Sequence, residues 1–243
     1  MREILFFGKT DPGRVRKQNE DIFLINEEKY FCLVADGIGG SRAGGIASKI
    51  FAQTVADYFE TIKDPLEKEA PGLIKKIFLT ANSNILNHAR EHEECSGMGC
   101  TAELILFFDD SYVLGHMGDS RTFRLRNGSF KQLTIDHSLV QEQISQGLIT
   151  PEEAKKHSFK NIIVRAVGIE ENPQLDILKG KILTNDRFLL CSDGLTDMIE
   201  TIQIEEVLKS SLDDDQNVKI LVENAKESQG KDNITVVIAQ INS

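Results

Sequence analysis

Apolar residues fall first into short runs, then into two long stretches of helical spacing, and then into short runs again. The runs at 4–8, 22–26 and 30–35 predict strands. From about 43 to 62, Ile46, Ile50, Phe51, Val55, Tyr58 and Phe59 recur on one helical face, with Pro65 helping to close the element. A second helix is predicted over about 70–92 from Ile74, Ile77, Phe78, Ala81 and Ile85. Four short strands follow at 102–108, 112–117, 122–126 and 130–133, with Asp109-Asp110 and Asn127-Gly128 as hairpin turns. Residues 138–160 read as polar and helical, and Thr150-Pro151-Glu152-Glu153 reads as a helix start. Strands are predicted again at about 175–179 and 188–191, helices at about 204–210 and 216–228, and a last strand at 234–241. The acidic run Asp213-Asp214-Asp215 predicts a solvated N-cap for the helix after it. Strand clusters interrupted by helices favour antiparallel sheets covered by helices, and the lack of regular βαβ alternation disfavours a Rossmann or barrel fold. No Pro/Gly/Ser linker and no low-complexity tract divides the chain, so one domain is expected over 1–243.

The strand-like runs repeatedly abut a solitary aspartate. YFCLVA (30–35) runs into Asp36-Gly37, FLLCS (188–192) into Asp193-Gly194, and YVLGHM (112–117) into Gly118-Asp119; Asp232-Asn233 precedes ITVVIA (234–239). Any one of these pairs is an ordinary turn. Several buried strands side by side would instead gather carboxylates, and each pair at about 4 Å costs about 4 kcal/mol at an effective dielectric near 20. Such a set calls for positive charge among it, and a hard divalent cation with oxygen ligands is the usual form. A dinucleotide loop fails on spacing, because GxGxxG from Gly37 needs a glycine where Arg42 stands, and no Walker A loop is present. The glycines after Asp36 do permit close approach of backbone to a ligand, including a carbonyl turned toward a metal. Upstream, RVRKQNED (14–21) reads equally as a charged loop entering a strand, or as an arginine, Arg16, that grips a phosphate by its fork beside two acids, Glu20 and Asp21, that hold metal-bound water.

The formal charge of -10 argues against nucleic acid as a partner. It also leaves an anionic substrate unexplained unless bound metal reverses the field locally. No apolar run approaches a membrane span or a signal peptide, so neither a membrane nor export is expected and the cytoplasm is the default compartment. Of the four cysteines, Cys32 and Cys191 lie within apolar runs as small hydrophobes, and no CxxC pair exists. A cysteine-based phosphatase needs an arginine six residues after its nucleophile; those positions hold Ile38, Thr101, Leu106 and Asp197. His88 and His92 have the spacing of a zinc pair but no third ligand, and a solvated helix face is the expectation.

The blocks RKQNED (16–21), ADGIGGSRAGGIAS (35–48), GMGCT (97–101), HMGDSR (116–121), LTIDHS (133–138), IIVRAVG (162–168), LLCSDGLTD (189–197) and KDNIT (231–235) together resemble the metal-dependent protein phosphatases of the PPM (PP2C) type, above all the small bacterial serine/threonine phosphatases. The resemblance covers nearly the whole chain. It implies an α/β (α+β) four-layer αββα sandwich, with two mainly antiparallel sheets flanked by helices and a binuclear Mn/Mg centre in a cleft at one edge. By matched position it implies that Asp36 bridges the two ions, that the Gly37 carbonyl binds one of them, and that Asp193 and Asp232 bind the other. Asp21, and Glu20 with it, would hold metal-bound waters, and Arg16 the substrate phosphate. Asp119 with Asp193 would form a third metal site, and 140–161 a flap beside the cleft. The implied activity is hydrolysis of phosphoserine and phosphothreonine on proteins by a metal-activated water, in a monomer that works opposite a cognate serine/threonine kinase. A phosphatase of small phosphometabolites and a degenerate phosphoprotein-binding module of the same fold are the alternatives. Two departures stand out: bacterial members often carry a histidine where Ser41 stands, and eukaryotic members one where Ile38 stands, which leaves the leaving-group acid open.

Overall fold

Two five-stranded antiparallel sheets stack face to face in the computed structural model, which describes residues 2–39, 43–62 and 65–242. One sheet has the order β1 (Ile4–Asp11), β12 (Ile234–Ile241), β11 (Arg187–Cys191), β8 (Arg121–Arg126) and β9 (Ser129–Gln132). The other has the order β10 (Asp176–Lys181), β7 (Ser111–Met117), β6 (Ala102–Phe107), β3 (Phe31–Ala35) and β2 (Ile22–Asn26). Strict alternation makes this possible, since successive side chains of a strand point to opposite faces. In β3, Cys32 and Val34 face the space between the sheets while Phe31, Leu33 and Ala35 face outward. In β12, Val237, Ala239 and Ile241 point inward and Ile234, Val236 and Ile238 outward. Because both faces are apolar, both must be covered. Helices α1 (Ala43–Thr61) and α2 (Ala70–Glu91) bury Phe51, Val55, Ile74, Ile77 and Phe78 on the β3/β6 side. Helices α6 (Thr201–Lys209) and α7 (Asp214–Glu227) bury Ile204, Leu208, Leu221 and Val222 on the other. The result is the four-layer αββα sandwich expected from the resemblance.

Strand register brings the aspartates to one edge. The start of β2 pairs with the end of β3 (Ile22 with Ala35), which sets Asp21 beside Asp36. The start of β6 pairs with the end of β7 (Ala102 with Met117), and the Gly118–Ser120 turn then crosses to β8 in the facing sheet. The end of β11 lies between the starts of β8 and β12, with Cys191 opposite both Arg121 and Val236, so Asp193 and Asp232 emerge at the same end. The segment holding Arg16 leaves β1 there too, because Asp11 pairs with Ile234.

Several boundaries differ from the sequence reading. Residues 138–160 form two short helices, α3 (Leu139–Ser145) and α4 (Pro151–Lys155), because Gly147, in the left-handed region at φ 70°, breaks the first. The predicted start at Thr150 is real, with a complete capping box to Glu153. Tyr30 is outside β3, at φ 53°. A two-stranded ribbon of β4 (Gly37–Ile38) and β5 (Gly99–Cys100), and the single turn α5 (Asp193–Thr196), had no periodicity to reveal them. Asp213 caps α7 as predicted by accepting from the Gln216 amide, but Asp214 is buried against Arg187 rather than solvated. The Asn127-Gly128 turn has φ 49° and 75°, as a type I′ hairpin requires.

Phe188 sits between the sheets with ring centroids 5.3 Å from Phe107 and 5.0 Å from Tyr112. Truncation by Phe188→Ala is expected to cost about 3–5 kcal/mol in urea denaturation, whereas Lys49→Ala on the exposed face of α1 should stay within about 0.5 kcal/mol of the parent.

Candidate active site

At the common edge, Asp21 and Asp119 are buried while Asp36, Asp193 and Asp232 are half-buried, and each acid is held by a backbone turn that its neighbours fix. The amide of Asp36 donates to the Thr101 hydroxyl (3.0 Å), the Asp36 carbonyl accepts from the Thr101 amide (2.8 Å), and that hydroxyl also bonds the Ser120 hydroxyl (2.7 Å). One carboxylate oxygen of Asp21 accepts from Ser192 Oγ (2.8 Å), which itself accepts from the amide of Thr235 (3.0 Å). Asn233 buckles the Arg16 segment down: its Oδ1 accepts from the Glu20 amide (2.8 Å), and its Nδ2 donates to the carbonyls of Pro12 (3.1 Å) and Gln18 (2.9 Å). Gly194 touches the same residue, and a Cβ there would stand 1.8 Å from the Asn233 carbonyl oxygen. Gly37 is walled in likewise, with the Gly44 carbonyl carbon 2.3 Å from a Cβ position.

The electrostatics follow from that crowding. Burial, then the charges of Asp21, Asp193, Asp119 and Asp232, push the Asp36 carboxyl well above the usual range. Asp193 is pushed well above it by burial and then by Asp119, Asp197, Asp232 and Asp21. Burial raises Asp21 to about 6 against the hydrogen bonds it receives. It raises Asp119 to about 7, with Asp136 adding and Arg121 subtracting. Arg16 lies at the rim with its Nη2 2.7 Å from Asp232 Oδ2; that bond raises its pKa, and the charges of Glu20 and Asp36 add to the effect.

The sequence-predicted residues are therefore electrostatic neighbours, drawn from five separate chain segments. They do not form a closed cage: among the described residues no three His, Cys, Asp or Glu side chains stand close enough to enclose an ion by themselves. Asp232 is turned toward Arg16. The donor set nonetheless suits hard divalent cations. Its side-chain donors are carboxylates, their proton affinities are raised by one another, and one buried oxygen of each of Asp21 and Asp193 has no hydrogen-bond partner. Ser41 lies outside the described residues. Ile38 is half-buried in β4.

Residues that sequence reasoning passed over complete the site. Asn233, Ser192 and Thr101 each stand beside a candidate acid or across from it; the sequence held them within the blocks KDNIT, LLCSDGLTD and GMGCT but gave them no role. Arg121 is clamped by Asp136, with Nε at 2.9 Å and 3.0 Å and Nη2 at 2.6 Å from its carboxylate oxygens. Beside Asp119 and Asp193 opens a cavity of about 320 Å³, walled by Val140, Ile144 and Ala154. Lys155–Glu200 (2.9 Å) and Lys160–Asp197 (2.6 Å) join the 140–161 segment to the far side of that cavity. His88, half-buried near the end of α2, and His92, exposed just beyond it, stack on each other with centroids 4.2 Å apart. The four cysteines are unpaired and buried, and burial pushes the thiols of Cys32, Cys100 and Cys191 far above their ordinary pKa, which removes them as nucleophiles.

Comparison with known proteins agrees with this geometry. Residues 14–225 match the model of the family described as protein phosphatase 2C. The chain is 36% identical over 238 residues to the serine/threonine phosphatase stp of Listeria innocua, covering 96% of this chain and 94% of that protein. It superposes on the crystal structure of the Mycobacterium tuberculosis serine/threonine phosphatase PstP/Ppp with a TM-score of 0.92 at 32% identity, covering 99% of each chain. A structure of the PstP catalytic domain in complex with two manganese ions matches with a TM-score of 0.89 at 32% identity and 99% coverage of each chain. A matched model over most of the length, relatives above 30% identity and a shared αββα fold lead to one conclusion: the chain belongs to the protein phosphatase 2C family.

Proposed function

We propose that this chain is a metal-dependent serine/threonine protein phosphatase that hydrolyses phosphomonoesters on proteins at the edge of the sandwich. The observation that carries the reading is the gathering of Asp21, Asp36, Asp119, Asp193 and Asp232 at one edge, with Arg16 at its rim. Two Mn²⁺ or Mg²⁺ ions would be held by Asp36 with Asp193, Asp232 and the Gly37 carbonyl, with Asp21 and Glu20 supporting. Asp119 and Asp193 would serve a third. When bound, the ions supply activation of a water molecule and neutralisation of charge on the phosphoryl group.

The chain's own residues do the rest. Arg16 is exposed and carries a planar fork suited to two phosphate oxygens. Asn233 fixes the segment on which it rides. Buried Asp21 holds its proton weakly enough to be ionised above about pH 6, and its orphaned oxygen offers an acceptor. The whole chain reads as one catalytic domain, with 140–161 as a flap over the cavity beside Asp119 and Asp193, tethered by Lys155 and Lys160. Phosphorylated proteins require a serine/threonine kinase as the opposing partner, and signalling is the setting such a pair serves. Four unpaired buried thiols accord with the reducing cytoplasm, and among the described residues no helix is long and apolar enough to cross a membrane. A monomer completes the reading.

Hydrolysis of p-nitrophenyl phosphate and of a phosphothreonine peptide is expected to require Mn²⁺. Asp36→Asn should lower kcat by about 1,000-fold, and Arg16→Ala should act mainly on KM; steady-state kinetics decides, and full turnover in excess EDTA would sink the reading. Faster turnover of small phosphometabolites than of phosphopeptides would favour the narrower hydrolase.

The raised carboxyls also fix a pH dependence. A carboxyl whose folded pKa exceeds its unfolded value binds its proton more tightly when folded, so it adds stability below the unfolded pKa that is lost as pH rises through the folded one. For Asp119 that window runs from 3.8 to about 7, and for Asp21 from 3.8 to about 6. His137, lowered to about 4 by burial and by the charge of His116, works the other way below 6.5. Cation-free protein should therefore melt at lower temperature as pH rises above about 6.5, and Mn²⁺ should reverse that slope in calorimetry.

A further inference from the structure

Between the sheets, directly behind the acidic edge, sits a polar group that the reaction as described does not use. Glu103 of β6 and His116 of β7 are direct cross-strand partners, and both are completely buried. They occupy the inward face that Ile105, Phe107, Tyr112 and Leu114 otherwise fill with apolar side chains. His116 Nδ1 bonds a carboxylate oxygen of Glu103, and the Thr122 hydroxyl donates to the other. His116 Nε2 donates to the backbone carbonyl of Ile135 at 2.9 Å. Burial works against a charged imidazole here, yet the Glu103 carboxylate outweighs it and leaves the ring pKa at about 9. The Ile135 bond needs a proton on Nε2, which the charged ring and the neutral Nε2–H tautomer both supply.

What the pair reaches is a strap of four residues, fastened to the turn that carries Asp119 and to the strands on either side of it. Thr134 Oγ1 accepts from the Thr122 amide (3.1 Å), and Ile135 accepts from His116. Asp136 clamps Arg121, and the His137 amide donates to the Gly118 carbonyl (2.7 Å) while its Nδ1 accepts from the Gly118 amide (3.1 Å). The side chain of Ile135 is 63% exposed, so core packing does not hold the strap at that point. The bond from His116 does. Asp119 is the third residue beyond His116, inside the segment this strap encloses.

We propose that Glu103 and His116 are a positioning pair for the reaction: by fixing the Ile135 carbonyl they hold the 134–137 strap against the Gly118–Arg121 turn and so aim Asp119 into the cleft. The proposal rests on the phosphatase reading and deepens it. Neither residue touches the reacting atoms; both act through the strap.

The test uses the full chain with Mn²⁺ and p-nitrophenyl phosphate. His116→Phe keeps the ring volume but removes both nitrogens, and it should lower kcat about 10-fold or more with KM little changed. Glu103→Gln should retain activity, since its amide can donate to a neutral Nδ1 while its oxygen accepts from Thr122. The double variant Glu103→Leu/His116→Phe replaces a buried polar pair by apolar side chains, which commonly preserves stability, and its kcat should stay low. Amide hydrogen exchange at Gly118 and His137 should quicken in both His116→Phe variants while the β3 amides stay protected. The proposal is overturned if folded His116→Phe turns over like wild type, if the double variant regains kcat as it regains stability, if Glu103→Gln is as damaged as His116→Phe, or if neither Phe variant folds. Failure of the wild type to turn over with Mn²⁺ would instead strike the phosphatase reading, and the exchange measurement would still judge the strap.

Discussion

Repulsion among Asp21, Asp36, Asp119, Asp193 and Asp232 is the constraint on which the rest of this structure depends. Each is raised, or raises its neighbours, because strands that cannot yield hold them at one edge. β3 is buried along its whole length, and β11 and β12 nearly so. Close-packed interiors transmit strain rather than absorb it, so the acids cannot relax apart by shifting their strands. The folding energy of two sheets and four covering helices is spent partly on keeping like charges together, and such local conflict is tolerated in natural proteins chiefly where it serves chemistry.

A second layer of polar contacts keeps the acids from solving the conflict by turning away. Thr101 grips the backbone of Asp36 from both sides, Ser192 bridges Asp21 to β12, and Asn233 uses every polar atom of its side chain to fasten the Arg16 segment. These are small residues with short, stiff reach, and that is what the task requires: a long side chain would surrender the position it is meant to fix. The glycines serve the same end by a different route. Gly37 and Gly194 stand where a single added carbon would strike backbone, so the turns that present Asp36 and Asp193 can close against Gly44 and Asn233 only as they are.

The sequence made the acids legible and left their supports almost unreadable, for one physical reason. Strand periodicity is a repeating signal, and Asp36, Asp193 and Asp232 stand where it stops, so pattern alone put them at strand tips. Support by Ser192, Thr101 or Glu103 depends on who lies across the sheet, which register decides and spacing along the chain does not. Glu103 illustrates the point: within AELILF it reads as one polar residue interrupting an apolar run, and only pairing with His116 gives it a partner. The same holds for the acidic run at the start of α7. Local pattern placed Asp213 as the cap, but Asp214 points inward to Arg187, a contact nearly thirty residues away in sequence. The 138–160 segment failed differently, because Gly147 divides a stretch that reads as polar and helical throughout.

The net charge of -10 and an anionic substrate are reconciled by where the charge sits. Asp232 and Arg16 meet at 2.7 Å with both side chains substantially exposed, 38% and 53%. Exposed pairs of this kind contribute about 0–1 kcal/mol, so Arg16 is loosely held and can exchange Asp232 for another oxyanion at little cost. Asp232 would gain by the same exchange wherever cations held it with Asp36 and Asp193, whose carboxyls its charge helps to raise. On the proposed metal-dependent reading, occupation of the acidic edge and release of the arginine would be one event viewed from two sides: positive charge that satisfied the acids would also free a fork suited to phosphate. Remote surface acids would matter little to this, because a Debye length of about 8 Å in physiological salt screens them, while bound ions and Arg16 would act at contact distance.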